Sequence, residues 1–225
     1  MYLTTLPYFE EGTVEELYDY KLPNGWLGQP AAVMAQFDSL RLAVYICPSL
    51  AKWEVHIPRR DYCGVVGGSI QDEPCTRGWR GCVFNDGVFF LNSFTKMADI
   101  IDGSASTLAI GESNHPSKWG AGEGYGNGRV GGPATWWFGG ATLIGTPNSL
   151  CVGRLLRSAM HPINSEVLPI RDSADNDVPF GSDHPGGAQF AYADGHVDFL
   201  SDSIDWKIYQ ALATRAGEET PTGEL

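Results

Sequence analysis

Basic residues are scarce in this chain. Lys and Arg number 15 against 27 Asp and Glu, a formal net charge of -12 over 225 residues. Recognition of phosphate backbones needs clustered cations, so this balance argues against a nucleic-acid partner. Long apolar runs are also missing. No stretch approaches the roughly 18 consecutive apolar residues of a membrane helix, and no basic leader with a hydrophobic segment opens the sequence. Several catalytic signatures are absent too. The glycine-rich stretch 120–132 has no Gly-Lys-Ser/Thr ending, so it is no phosphate loop. No Gly-x-Ser-x-Gly nucleophile elbow occurs. None of the 5 cysteines forms Cys-x-x-Cys and no His stands at a zinc-finger distance from one, so a structural zinc site is not expected. A Cys–His catalytic pair has no local signature.

What is present describes a packed, loop-rich fold. Hydrophobic residues make up 43 %, with 28 Gly and 14 Pro. That composition fits one domain over 1–225 with one core, α+β and mostly antiparallel β, carrying short peripheral helices and long inserted loops. Its organising stretch is 180–200, FGSDHPGGAQFAYADGHVDFL. Residues 188–192 alternate small or polar with aromatic side chains, Ala193-Asp194-Gly195 makes a turn, and 196–200 returns. Asp-Gly between two alternating runs signals a tight primed hairpin turn, since Gly supplies the positive φ. The reading places Val197 and Phe199 in the core with Val44, Ile46, Phe89, Leu108, Ile110, Phe190, Tyr192, Ile204 and Leu212.

Other elements follow from pattern. Leu42, Val44 and Ile46 alternate along 40–47 and predict a strand ended by Pro48. Strands are also expected over 61–70 and Thr107 to Gly111. Asn85-Asp86-Gly87 predicts a second hairpin between 82–84 and 88–91. Glu10 to Tyr20, with Thr13 and Glu16 as a capping box, predicts a helix. Residues 31–37 read equally as a second short helix or as a loop packed against the core. Phe94, Met97, Ile100 and Ile101 predict another over 93–101. Ile204, Ile208 and Leu212 predict a last helix over 203–213.

The hairpin also carries a resemblance. His184, nine residues, then Asp194-Gly195 is similar to the C-terminal signature of a bacterial prepilin-like family (DUF1559-type, pilin- or pseudopilin-like). Further segments match in the family's order. Leu6-Pro7-Tyr8-Phe9-Glu10-Glu11-Gly12 resembles its "LPYLEQG", and Cys47-Pro48-Ser49 its "CPSD", with Leu50 for the Asp. Asp99 to Leu108 resembles "DItDGtSNT", Ile110-Gly111-Glu112 "vGE", and Leu212 to Glu219 the closing "LaTraGGE" with one Gly fewer. The resemblance implies an N-terminal hydrophobic helix ahead of the "LPYLEQG" point. This sequence is therefore expected to be the ectodomain of a longer protein, extracellular or periplasmic and membrane-anchored in its full-length form. The implied role is non-enzymatic: assembly, adhesion or surface binding, with other pilin-like subunits or surface components as partners.

Candidate site residues fall in those segments. His184 and Asp194 flank one strand and are expected to do separate jobs. Asp194, with Gly195, fixes the turn. His184 acts as a structural latch on an acceptor near Asp102 or Glu112. A second role for Asp102, Glu112, Asp183 and His184 is to hold Ca2+ through oxygen ligands. Trp119, Trp136 and Trp137 offer a platform for polysaccharide, against the plainer reading of core and packed lid. A secreted hydrolase is a further alternative. Cys75 and Cys82 bracket a short loop and are expected to close it as a disulfide, with Cys63–Cys151 as a second pair. In the family a Cys of the N-terminal helix looks placed to pair with the Cys of "CPS", which would leave Cys47 as the one free thiol.

Overall fold

Five strands form the main sheet of the computed structural model, which describes residues 2–23, 28–40, 42–49, 60–68, 76–78, 81–113, 155–165, 176 and 178–218. They are β1 (Tyr62–Val65), β4 (Leu108–Glu112), β5 (Leu156–Arg157), β6 (Gly187–Tyr192) and β7 (Val197–Ser201). Their order is β5-β1-β4-β6-β7. Every neighbour pair is antiparallel except β5 with β1. A separate two-stranded ribbon joins β2 (Thr76–Gly78) to β3 (Gly81–Val83). Among the described residues the α-helices are short: α1 (Tyr2–Thr5), α2 (Gly12–Glu15), α3 (Ala31–Ser39) and α4 (Trp206–Ala213). The fold is α+β with a mostly antiparallel sheet.

Pairing divides the sheet into two faces, because directly opposed residues project to the same side. Leu108 opposes Tyr192, Gly111 opposes both Cys63 and Phe190, and Ala188 opposes Leu200. These residues line the main core, where α4 adds Tyr209, Leu212 and Ala213. Phe190 stacks edge-on to Phe180 at 5.3 Å and to Tyr209 at 5.9 Å between ring centroids. Gly111 makes that crossing possible: a Cβ there would lie 2.4 Å from Phe190 Cε1 and 2.7 Å from Phe180 Cδ1. The opposite face carries Tyr62 opposite Glu112, Ile110 opposite Ala191, and Gln189 opposite Phe199.

A second cluster lies under the N-terminal helices. Leu6, Val14, Phe37, Leu42 and Tyr45 are buried together, and the Tyr45 hydroxyl lies 2.8 Å from Thr5 Oγ1. At the far end of the chain, Asp205 caps α4 by accepting from Lys207 N and Ile208 N.

Several elements differ from the sequence expectation, each for a local reason. Residues 40–47 alternate like a strand, yet no described strand pairs with them. They wrap the N-terminal cluster through a 3-10 turn, Ala43–Tyr45, which buries Tyr45 and leaves Val44 39 % exposed. Only the 3-10 turn Met97–Asp99 forms within 93–101, and Phe94, Met97 and Ile101 stay exposed. Between 85 and 91 there is no second hairpin: Gly87 N and Phe89 N donate to Val66 O and Val65 O, so the segment lies along the end of β1. The helix predicted over 10–20 contracts to α2. The last helix starts later than expected, at Trp206, with Asp205 as its cap.

The hairpin of β6 and β7 is present, with two corrections. Only Gly195 of its turn takes the left-handed region, at φ 95°, so the turn is not a two-residue primed one. The phase of β7 is inverted. Leu200 faces the core at 5 % exposure, while Val197 and Phe199 are 63 % and 40 % exposed at the sheet edge. Phe190→Ala should therefore cost about 3–5 kcal/mol in a denaturant titration. Phe199→Ala should cost about 1 kcal/mol or less. A larger loss at Phe199 than at Phe190 would contradict this phase.

Candidate functional site: a buried thiol, imidazole and carboxylate

Glu112 is the last residue of β4 and is 1 % exposed, on the face away from the aromatic core. A carboxylate buried this deeply needs partners. Its Oε2 accepts from Gln189 N of β6 at 2.8 Å. Its Oε1 lies 3.4 Å from His184 Nε2.

His184 is placed by the loop that enters β6. Its backbone N donates to Ser182 Oγ at 3.1 Å, and that hydroxyl donates to Gly187 O at 2.7 Å. Gly186, at φ 81°, lets the chain turn into the strand. The imidazole is the most open member of the group, with its side chain 26 % exposed.

Cys47 arrives from a third direction, just past the Ala43–Tyr45 turn. Its backbone N donates to Asp61 Oδ2 at 2.8 Å, which fixes the loop against the start of β1. Its Sγ lies 3.5 Å from His184 Nε2 and is buried. The donor atoms of Cys47, Glu112 and His184 lie within 4.8 Å of one another.

Burial pushes the Cys47 thiol up from its ordinary value. The backbone of Ser49 works the other way, while Glu112 and Asp61 raise it further. Tyr62, opposite Glu112, is also pushed up, first by burial and then by Cys47, Glu112 and Asp61. A nucleophilic cysteine needs the reverse, a depressed thiol beside a base whose second nitrogen is oriented by an acid. Here a single nitrogen, Nε2, faces both the sulfur and the carboxylate. The arrangement does not make a nucleophile relay. It makes three donors converging on one point.

Other residues named from the sequence take separate places. Asp102 is not in the group. Its carboxylate accepts from Thr214 Oγ1, Gly217 N and Glu218 N, and so ties the C-terminal segment to the loop before β4. Asp183 is exposed and also outside the group. Asp194 accepts from His196 N at 3.0 Å and lies 2.6 Å from His196 Nδ1. Those contacts hold its carboxyl below the usual carboxylate range, the backbone bond contributing most.

Cys63 is a free, buried thiol that accepts from Arg60 Nη1 at 2.7 Å, so it does not form the expected pair with Cys151. Cys47 is free as well, which makes two free thiols among the described residues rather than one. Cys82 is disulfide-bonded. Cys75, Cys151, Trp119, Trp136 and Trp137 lie outside the described residues. Sequence reasoning expected Cys47 to be free, as it is, but did not place it beside Glu112 and His184 and did not consider Asp61. The signal for Cys47 was its place in one of the family-like segments.

The raised thiol has a measurable consequence. The thiolate is disfavoured in the folded protein, so the thiol holds its proton above the ordinary titration range of about 8.5. In native, chelator-treated protein, alkylation of Cys47 followed by peptide mass spectrometry should be slow at neutral pH and accelerate only above that range. Stability contributed by the protonated thiol should be present below it and fall as pH rises through the folded-state value. Half-maximal alkylation below pH of about 7 would contradict this electrostatic environment.

No curated protein and no solved structure matches the chain. A family model described as "Protein of unknown function (DUF1559)" matches residues 2–207, and the chain belongs to that family.

Proposed function

We propose that this chain is the surface-exposed globular domain of a prepilin-like protein, and that it works by assembly or surface binding, not by turnover. The observation that carries this reading is the outer surface of the N-terminal helical segment. Leu6 is fully buried, yet Tyr8, Phe9, Leu17 and Tyr20 are 85 %, 45 %, 37 % and 54 % exposed. Aromatic and aliphatic side chains clustered in sequence at the surface suit packing against a partner. In this reading the full-length protein is anchored in the membrane and faces the periplasm or the exterior, with copies of itself or related subunits as partners.

The test uses the full-length protein in its own cells. Protease shaving of intact cells should remove the domain, and chemical cross-linking should trap multimers. Tyr8→Ser should lower the cross-linked yield several-fold while leaving the thermal midpoint of the purified domain nearly unchanged. A protease-protected cytosolic monomer, or cross-linking indifferent to the substitution, would contradict the proposal.

A further inference from the structure

We propose that Cys47, Glu112 and His184 bind one Zn2+ ion, with a fourth position open to solvent. The distances carry this. A tetrahedral zinc with usual bond lengths of about 2.3 Å to sulfur and about 2.0–2.1 Å to nitrogen or oxygen has a sulfur–nitrogen edge of about 3.6 Å. Its nitrogen–oxygen edge is about 3.3 Å. The observed separations are 3.5 Å from Cys47 Sγ to His184 Nε2 and 3.4 Å from His184 Nε2 to Glu112 Oε1. A direct charge-assisted bond between imidazole and carboxylate would be shorter, about 2.7–2.9 Å. One ring nitrogen also faces both partners, and one N–H serves two acceptors poorly, whereas one metal ion serves three ligands.

Charge and support agree with the geometry. A thiolate and a carboxylate together offset the charge of a dication, which suits the burial of Glu112 and Cys47, 1 % and 3 % exposed. Each ligand is braced from behind. Gln189 N holds Glu112 Oε2, Asp61 holds the Cys47 backbone, and Ser182 holds that of His184. Metal sites depend on such outer contacts to aim their ligands. Sulfur and imidazole suit Zn2+ and its spectroscopic substitute Co2+, whereas Ca2+ requires about six to eight oxygens. His184, the partly exposed ligand, marks the side from which a water molecule completes the coordination.

The experiment begins with chelator-treated, reduced protein titrated with Co2+. A near-ultraviolet thiolate-to-cobalt band should grow and saturate at one equivalent, and one equivalent of Zn2+ should erase it. Zn2+ should raise the thermal midpoint, whereas Ca2+ should not. Cys47→Ser should remove the band, and Glu112→Gln and His184→Ala should each weaken Zn2+ binding tenfold or more. Should a variant fail to fold, the wild type decides alone: Zn2+ should protect the Cys47 peptide from alkylation at high pH and leave Cys63 unaffected. No cobalt band, a band that survives His184→Ala, unprotected Cys47, or Cys47 recovered in a disulfide from the full-length protein would each overturn the proposal.

Discussion

A single buried carboxylate holds four parts of this structure together. Glu112 closes the central strand β4, opposite Tyr62 of β1. Its side chain accepts from Gln189 N of β6 and faces the imidazole of the preceding loop, and its own carbonyl accepts from Gly181 N at 2.9 Å. Cys47 completes the contact from the N-terminal half. Burying a charge without partners would be strongly unfavourable, so these neighbours cannot separate without stranding it. The entry to the β6–β7 hairpin is thereby fixed by chemistry on one face of the sheet, and its aromatic packing by the other.

Asp102 plays a parallel part at the opposite end of β4. Its two oxygens take donors from Thr214, Gly217 and Glu218. Arg215 adds to the same junction, with its guanidinium bonded to Gly87 O at 2.8 Å and placed 4.8 Å above the Phe90 ring. Apart from the Leu6–Gly12 segment, the family-like segments thus meet in space in two groups. Those containing Cys47, Glu112 and His184 form the donor cluster, and those containing Asp102 and Arg215 form the C-terminal clasp. The clasp explains Asp102 fully as a structural acceptor. The donor cluster retains a partly exposed imidazole and a thiol, which is chemistry beyond what holding a loop requires.

Legibility in the sequence followed the range of the interactions. β4, the β6–β7 hairpin and α4 were readable because their signals are local: alternation, Asp-Gly, helical spacing; 31–37, which forms α3, left helix and loop equally open. Residues 40–47 misled because the spacing of Leu42, Val44 and Ile46 fits a strand, whereas the chain turns through Ala43–Tyr45, which exposes Val44 and buries Leu42 and Tyr45 against the N-terminal helices. Val197 and Phe199 misled because β7 is an edge strand whose register is set by Leu200 opposite Ala188, a fact of pairing that no residue of β7 encodes alone. Glu112 and His184 could be suspected as neighbours from their segments. Cys47 could not be placed with them, because cysteine spacing rules detect ligands close in sequence, and here 137 residues separate Cys47 from His184. The same rules argued against a structural zinc site for that reason.

The claim that Glu112 and His184 form one unit is tested most directly by a double-mutant cycle. Glu112→Gln, His184→Ala and the pair would be compared with the wild type in denaturant titrations with chelator present. Shared burial predicts that the second substitution hurts much less once the first is made, a coupling of at least about 1 kcal/mol. Losses that add to within about 0.3–0.5 kcal/mol would mean the two side chains act independently, and would contradict it.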